Sequence, residues 1–425
     1  MAWWFQISLW KRVFLGLIFG VGFGLAVTQI MGPLAGEALL LKVKVIGDVF
    51  IRLIRMIVVP LIFFTLTAGI YAMGDPKKLG TIGIKAFALY LVTTFFANII
   101  GLSMGLLFRP GAGVDLGDAT PRSVDIDAPS VGERLMGIIP ENPFMALVQG
   151  DVLAVIFFSL LLGVGILTAR EKGEPAGRFF EAASEAILKV TYIIMELAPF
   201  GVFALIAYVA GTKGVETFTA ILTLTIAVYL GAAIHMLLVY GGLVRIVLGL
   251  PLVNFFRGIL EAMMVAYSTS SSSATLPVTI RAVSENLGVD KPVAGSVLPL
   301  GATINMDGTS LYLGIVALFT AQAFGYTLEP YHYGMIALTC ALVSIGTAGI
   351  PSASLFLLSI VLTVFDVTPE HTALVVGFIF PFDRLLDMMR TVVNVTGDAA
   401  VATAVAKWEG EIDEKVYRSK ISERA

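Results

Sequence analysis

Residues 382–398 read Phe-Asp-Arg-Leu-Leu-Asp-Met-Met-Arg-Thr-Val-Val-Asn-Val-Thr-Gly-Asp, inside a stretch otherwise apolar enough to cross a bilayer. On a helix, Asp383, Asp387, Arg390, Asn394 and Asp398 fall within about 80° of one another. Each charge at bilayer depth costs roughly 2.5–3.5 kcal/mol on insertion scales. A polar stripe carried at that cost predicts a ligand or ion pathway. Together with Asp307, the aspartates at 383, 387 and 398 outnumber Arg384 and Arg390, four acids against two bases. Such a surplus must be protonated or met by a cation. Interhelical salt bridges that merely fix a bundle are the competing reading. Asn305, Asn394 and two interrupted backbones supply more oxygens than salt bridges need.

Three further groups point the same way. Asn305-Met306-Asp307-Gly308-Thr309 breaks an apolar run with a glycine and three oxygen-bearing side chains. An unwound turn there would present carbonyls to a small cation. Ser268-Thr269-Ser270-Ser271-Ser272-Ser273-Ala274-Thr275 offers amides and hydroxyls suited to a carboxylate. Serine chemistry of the hydrolase kind is disfavoured, because no GxSxG frames this serine run, HExxH is absent, and His235, His332 and His371 lie in other segments. Tyr90, Thr93 and Thr94 make a small polar face whose bland reading is interhelical hydrogen bonding. Arg52 and Arg55 read as snorkelling at an interface.

These residues must be held by membrane-spanning elements. The chain has 425 residues, 57% hydrophobic and 14% charged, where soluble domains carry roughly 25% charged residues. The single cysteine, Cys340, excludes an internal disulfide or a cysteine metal cluster and reads as packing. The start, MAWWFQISLWKR, reads as an aromatic interfacial anchor with Lys11 and Arg12 on the cytoplasmic side. Apolar runs of spanning length fall near 12–31, 45–72, 84–108, 147–168, 190–211, 219–249, 293–324 and 373–400. Lysine and arginine cluster in alternate connections, as a cytoplasmic N-terminus requires.

Two apolar segments, 254–281 and 333–368, break this alternation, and each has a small, polar centre. Both are expected to be helical hairpins that enter and leave on one side, from opposite faces of the membrane. Each precedes a helix with buried polar residues. Paired interrupted segments in two halves are a pointer to a transporter's binding site. The expected architecture is an all-α polytopic membrane protein with eight transmembrane helices and two oppositely oriented re-entrant hairpins, both termini cytoplasmic.

Taken in order, RLIRMIVVPLIFF, TSSSSATLP, LGATINMDGT, SIGTAGIP and LDMMRTVVNVTGD resemble the glutamate transporter family, the dicarboxylate/amino acid:cation symporters. The likeness covers almost the whole chain and lies nearest the sodium-coupled archaeal aspartate transporters and their bacterial relatives. It implies a homotrimer in the cell (inner) membrane working by an elevator mechanism. Residues 1–75 and 111–215 would be scaffold, 76–110 and 216–408 the moving transport domain, and 409–425 a cytoplasmic tail. It implies that Arg390 pairs with the substrate's side-chain carboxylate and Asp387 holds its amino group. Asn394, Thr391, Ser271 and Ser272 would take the α-carboxylate, with Thr309, Ile350 and Ser354 completing the pocket. Sodium sites would fall at Asp398, Asn394, Gly301 and Asn305; at Thr303, Ser344, Ile345 and Thr347; and at Asp307 with Asn305, Tyr90, Thr93 and Thr94.

The resemblance also discriminates among functions. Relatives carrying neutral amino acids lose the arginine at 390, dicarboxylate carriers lack the aspartate at 387, and proton-driven relatives tend to lose the acidic sodium ligands. This chain keeps all of them, which implies a sodium-coupled symporter for aspartate or glutamate rather than an enzyme. A proton-coupled acidic amino acid or dicarboxylate carrier is the alternative, and an anion channel the reading from another class. Three positions depart from the pattern: Ser270 where archaeal relatives have an arginine, Leu313 where animal relatives have a glutamate, and Ser354 for a glycine. Arg384 is expected to supply the missing charge by reaching toward the first tip and Asp387 or Asp383.

Overall fold

The computed structural model describes residues 7, 9–72, 76–114, 116, 136, 139–213, 217–345 and 353–419. Among them there is no strand, only an isolated antiparallel bridge between Val289 and Ile412. The helices, in order, are α1 (Leu9–Met31), α2 (Pro33–Ala72), α3 (Pro76–Phe108), α4 (Pro143–Gln149), α5 (Val152–Thr168), α6 (Glu174–Met195), α7 (Ala198–Lys213), α8 (Thr217–Ile234), α9 (Leu252–Gly258) and α10 (Leu260–Thr269). There follow α11 (Ser272–Arg281), α12 (Lys291–Ile304), α13 (Asp307–Phe324), α14 (Pro330–Ile345), α15 (Ala353–Leu362), α16 (Pro369–Glu409) and α17 (Glu414–Arg418).

Helices 11–31, 81–108, 219–247 and 291–324 are long and apolar enough to cross a bilayer, so the chain is an integral membrane protein. Their outward faces are apolar at helical spacing: Ile84, Phe87, Leu91, Phe95 and Ile99 on α3, and Leu222, Ile226 and Leu230 on α8, are exposed. An apolar row turned outward is what lipid, not water, tolerates. α16, the longest helix described, carries Asp383, Arg384, Asp387, Arg390 and Asp398 within its length.

Two apolar runs expected to span as single helices are broken. The run at 190–211 is not one helix, because α6 ends at Met195 and α7 starts at Ala198, the two meeting at 48°. Pro199, second in α7, has no N–H to continue the ladder and would clash with the preceding turn, so it begins a helix well and continues one badly. Similarly, the run at 147–168 is interrupted at left-handed Gly150 (φ 74°), after which Asp151 caps α5 by accepting from the Ala154 amide at 3.3 Å. Arg12 is also not at an open interface. It is 3% exposed, straddling Glu196 with both Nη atoms at 2.5 and 3.1 Å, and so ties α1 to the α6–α7 bend.

Packing sorts the helices. α1, α2, α5, α6 and α7 pack on one another, while α3, α8, α14, α15 and α16 surround α13, and α10, α11 and α12 pack on α16. α13 is hydrophobic on every face, and all of Asp307–Phe324 except Gln322 is buried. A helix apolar all round belongs in a core. α16 lies against α10, α12 and α13, and every residue from Arg390 to Ala406 is buried.

Candidate functional site

The site is assembled by three pairs of helices, α10–α11, α12–α13 and α14–α15, and the long helix α16. α10 ends at Ser270, a non-glycine residue at φ 52°, and α11 starts from Ser271, whose Oγ caps it by accepting from the Ala274 amide at 3.2 Å. α10 and α11, on either side of the serine run, pack on one another. α12 ends at Asn305 (φ −84°, ψ 87°) and α13 restarts after Met306 (φ −116°, ψ 48°), the unwound turn expected at Asn305–Thr309. α14 and α15 likewise pack together, and the joining residues 346–352, with Thr347 and Ile350, lie outside the described residues. α16 begins at the Thr368 cap, whose Oγ1 accepts from the His371 amide at 3.2 Å, and stops at left-handed Gly410.

On α16 the stripe is a set of contacts. Arg390, 1% exposed, forms an ion pair with Asp383 at 2.9 Å and donates from Nη2 to Asp387 at 2.8 Å. Its guanidinium lies over the Tyr312 ring at 4.0 Å, and Tyr312 Oη donates to Asp383 Oδ1 at 3.2 Å. Asp383 Oδ2 is buried without a hydrogen-bond partner among the described residues. Thr391 is buried and donates to the Asp387 carbonyl at 2.9 Å. Thr309, Ser272 and Ser354 are buried as well.

One turn on, Asn394 joins α16 to the unwound turn. Its Oδ1 accepts from the Gly308 amide at 2.8 Å, and its carbonyl accepts from Asn305 Nδ2 at 3.1 Å. Asn305 Nδ2 also donates to Asp398 Oδ1 at 2.9 Å, while Asn305 Oδ1 is buried and unpartnered among the described residues. A Cβ at Gly301 would run into Asp398 Oδ1 and lie 2.5 Å from Tyr90 Oη. Glycine there lets two oxygens crowd the α12 backbone. Asp398, Asn305, Asn394 and Gly301 are therefore together, with an orphaned amide oxygen that fits a cation. Among the described residues no three His, Cys, Asp or Glu side chains converge, so the donor chemistry is mixed carboxylate, amide and carbonyl oxygen.

Asp307, first residue of α13 and fully buried, accepts from Thr94 at 2.6 Å on Oδ1 and from Tyr240 at 2.7 Å on Oδ2. His235 Nε2 is 3.2 Å from Oδ2. Thr94 thus meets Asp307 as expected. Tyr90 lies instead beside Gly301 and donates to the Val297 carbonyl at 3.1 Å, and Thr93 donates to the Tyr90 carbonyl at 3.1 Å. Thr303 and Ser344 bond within their own helices, to Leu300 and Ala341, on packed α12 and α14, with buried Ile345 next in chain. Arg384 reaches the first tip: Nη2 donates to the carbonyls of Ser268 at 3.3 Å and Thr269 at 3.1 Å.

Sequence reasoning missed His235, Tyr240 and Tyr312. All three sit inside apolar runs, and only His235 and Tyr240 left a trace, as two polar residues in one span.

Fold and site define an all-helical membrane protein whose centre pairs a buried arginine with carboxylates and two interrupted backbones. The profile of the sodium:dicarboxylate symporter family matches residues 9–408, and the chain belongs to that family. It is 33% identical to the proton/sodium-glutamate symport protein of Geobacillus stearothermophilus over 428 residues, covering 98% of both chains. It is 35% identical to the proton/glutamate-aspartate symporter of Escherichia coli, covering 87% of this chain and 86% of that one. To the C4-dicarboxylate transport protein of Bacillus subtilis it is 34% identical, covering 96% and 95%.

Proposed function

We propose that the protein is a sodium-coupled symporter of acidic amino acids, aspartate or glutamate. The observation that carries this is the Asp383–Arg390–Asp387 cluster on α16, one turn from Asn394. Arginine offers a planar fork for a side-chain carboxylate, and Asp387 beside it offers an anion to an ammonium. A C4-dicarboxylate has no ammonium, which makes Asp387 a liability for that cargo. The α-carboxylate would lie against Ser271, Ser272, Thr391 and Asn394. Sodium would take Asp398, Asn394, Asn305 and the Gly301 carbonyl, then Asp307 with Thr94, and a carbonyl-built site near Thr303, Ser344 and Ile345.

Charge compensation supplies the coupling. Four buried aspartates face two arginines, and an acidic amino acid adds a net negative charge, so cations must enter with it. The two packing groups of helices support an elevator, with α3, α8 and α10 to α16 carrying the site past a scaffold of α1, α2 and α4 to α7. A homotrimer with eight spans, two re-entrant hairpins and cytoplasmic termini completes the reading.

Titration of purified protein with aspartate, at several sodium concentrations and pH values, tests this. Affinity that steepens with sodium and is flat in pH is the expected result. Binding that follows pH in choline buffer would establish the second reading, a proton-coupled carrier, which the names of the Geobacillus and Escherichia relatives favour. Saturable exchange of labelled aspartate in proteoliposomes separates either carrier from an anion channel.

A further inference from the structure

The two donors on Asp307 Oδ2 come from an unusual stretch of helix. α8 continues as π-helix over His235–Tyr240 and again over Leu243–Val247. In a regular α-helix, residues five apart point about 140° away from each other. A π-turn closes from i to i+5 and returns them to one face, and such turns are rare and cluster at functional sites. Here they bring the His235 and Tyr240 rings edge to face at 4.7 Å, both on the same carboxylate oxygen. α16 leaves room for this: a Cβ on Gly397 would lie 2.5 Å from Tyr240 Oη.

An ionised carboxylate has roughly four lone-pair positions. With Thr94 on Oδ1, three donors of the protein already occupy Asp307. These donors do part of a cation's work. They compensate a fully buried charge, which would otherwise be prohibitively costly. They also compete with an arriving ion for lone pairs. A transport site needs that weakness, because an ion held too firmly does not leave.

We propose that His235 and Tyr240 are positioning residues that stand in for the cation at Asp307 and thereby set how tightly that site holds it. The inference rests on the reading of Asp307 as a cation ligand given above. It differs from a merely structural role in sign. A loosened fold weakens cation binding, whereas loss of a competing donor strengthens it.

The test uses full-length protein purified in detergent and measures the sodium concentration that gives half-maximal aspartate binding. Tyr240→Phe keeps the ring and removes the hydroxyl. It should lower half-saturating sodium about tenfold, the value of one hydrogen bond to a charged group. Release of aspartate on dilution into choline buffer should slow accordingly. His235→Leu should shift sodium in the same direction, and His235→Gln, which keeps an N–H, should return it to within about twofold of the parent. Half-saturating sodium that is unchanged or raised in Tyr240→Phe overturns the proposal, and His235→Leu is judged by the same criterion should the first variant not fold. If the parent itself binds aspartate equally in sodium and choline, the symport reading fails. A sodium-dependent parent with unresponsive variants defeats only this inference.

Discussion

Asp383 and Arg390 meet at 2.9 Å with both side chains closed off from solvent, and the same guanidinium takes Asp387 at 2.8 Å. Two carboxylates share one cation, at the place where the proposed cargo brings another carboxylate and an ammonium. If Asp383 keeps Arg390 in position, Asp387 is free to be lent to the ammonium.

Arg390 is therefore the first residue to change. Arg390→Lys keeps the charge and loses the fork, and should weaken aspartate binding on the order of a hundredfold. Arg390→Cys should abolish acidic uptake and admit neutral amino acids. Uptake of labelled aspartate and serine into proteoliposomes reads both. Aspartate affinity retained in either variant would remove Arg390 from the pocket.

Asp383→Asn leaves Arg390 to Asp387 alone, so the carboxylate meant for an ammonium is spent internally. Aspartate affinity should fall about tenfold, while competition by succinate, which has no ammonium, changes much less. Equal losses for the two ligands would show that Asp383 does not divide labour with Asp387.

Arg384 places a cation on the last carbonyls of α10, where a helix C-terminus favours positive charge. Arg384→Ala should slow aspartate exchange by roughly three- to tenfold. Measured exchange rate and affinity both equal to the parent's would reduce Arg384 to packing.

At the far end of α16, Glu409 accepts from Lys85 Nζ at 2.8 Å and from Thr81 Oγ1 at 3.4 Å. The Lys85 contact holds the Glu409 carboxyl below the usual carboxylate range. A depressed pKa contributes stability that is present above the unfolded value and lost as pH falls through the folded one. The unfolding midpoint of Lys85→Met should lie below the parent's at pH 7, and the gap should close on acidification past Glu409. A gap that persists in acid would mean packing, not charge, makes the contact.

Much of this was legible beforehand because it follows from local rules. The stripe on α16 was readable because helical periodicity alone puts Asp383, Asp387, Arg390, Asn394 and Asp398 on one face. The breaks at Ser270 and Asn305 were readable because serine, glycine and polar clusters interrupt apolar helices wherever they occur. The α6–α7 bend was missed because hydropathy sums over Pro199 without registering its lost N–H. The enclosure of Arg12 was missed for a similar reason: charge near an apolar run suggests an interface, and only the position of Glu196, itself partly exposed, shows the ion pair.

The sequence by itself determined that this chain is helical, lies in a membrane and carries excess acid at its centre, since composition and period require no knowledge of neighbours. Which acid meets which donor was decided only in three dimensions. His235 and Tyr240 point apart in any regular helix, and a π-turn packed against α3 and α16 brings them onto Asp307. Hydrogen bonds a few ångströms long join residues more than sixty positions apart, and no local pattern encodes that distance.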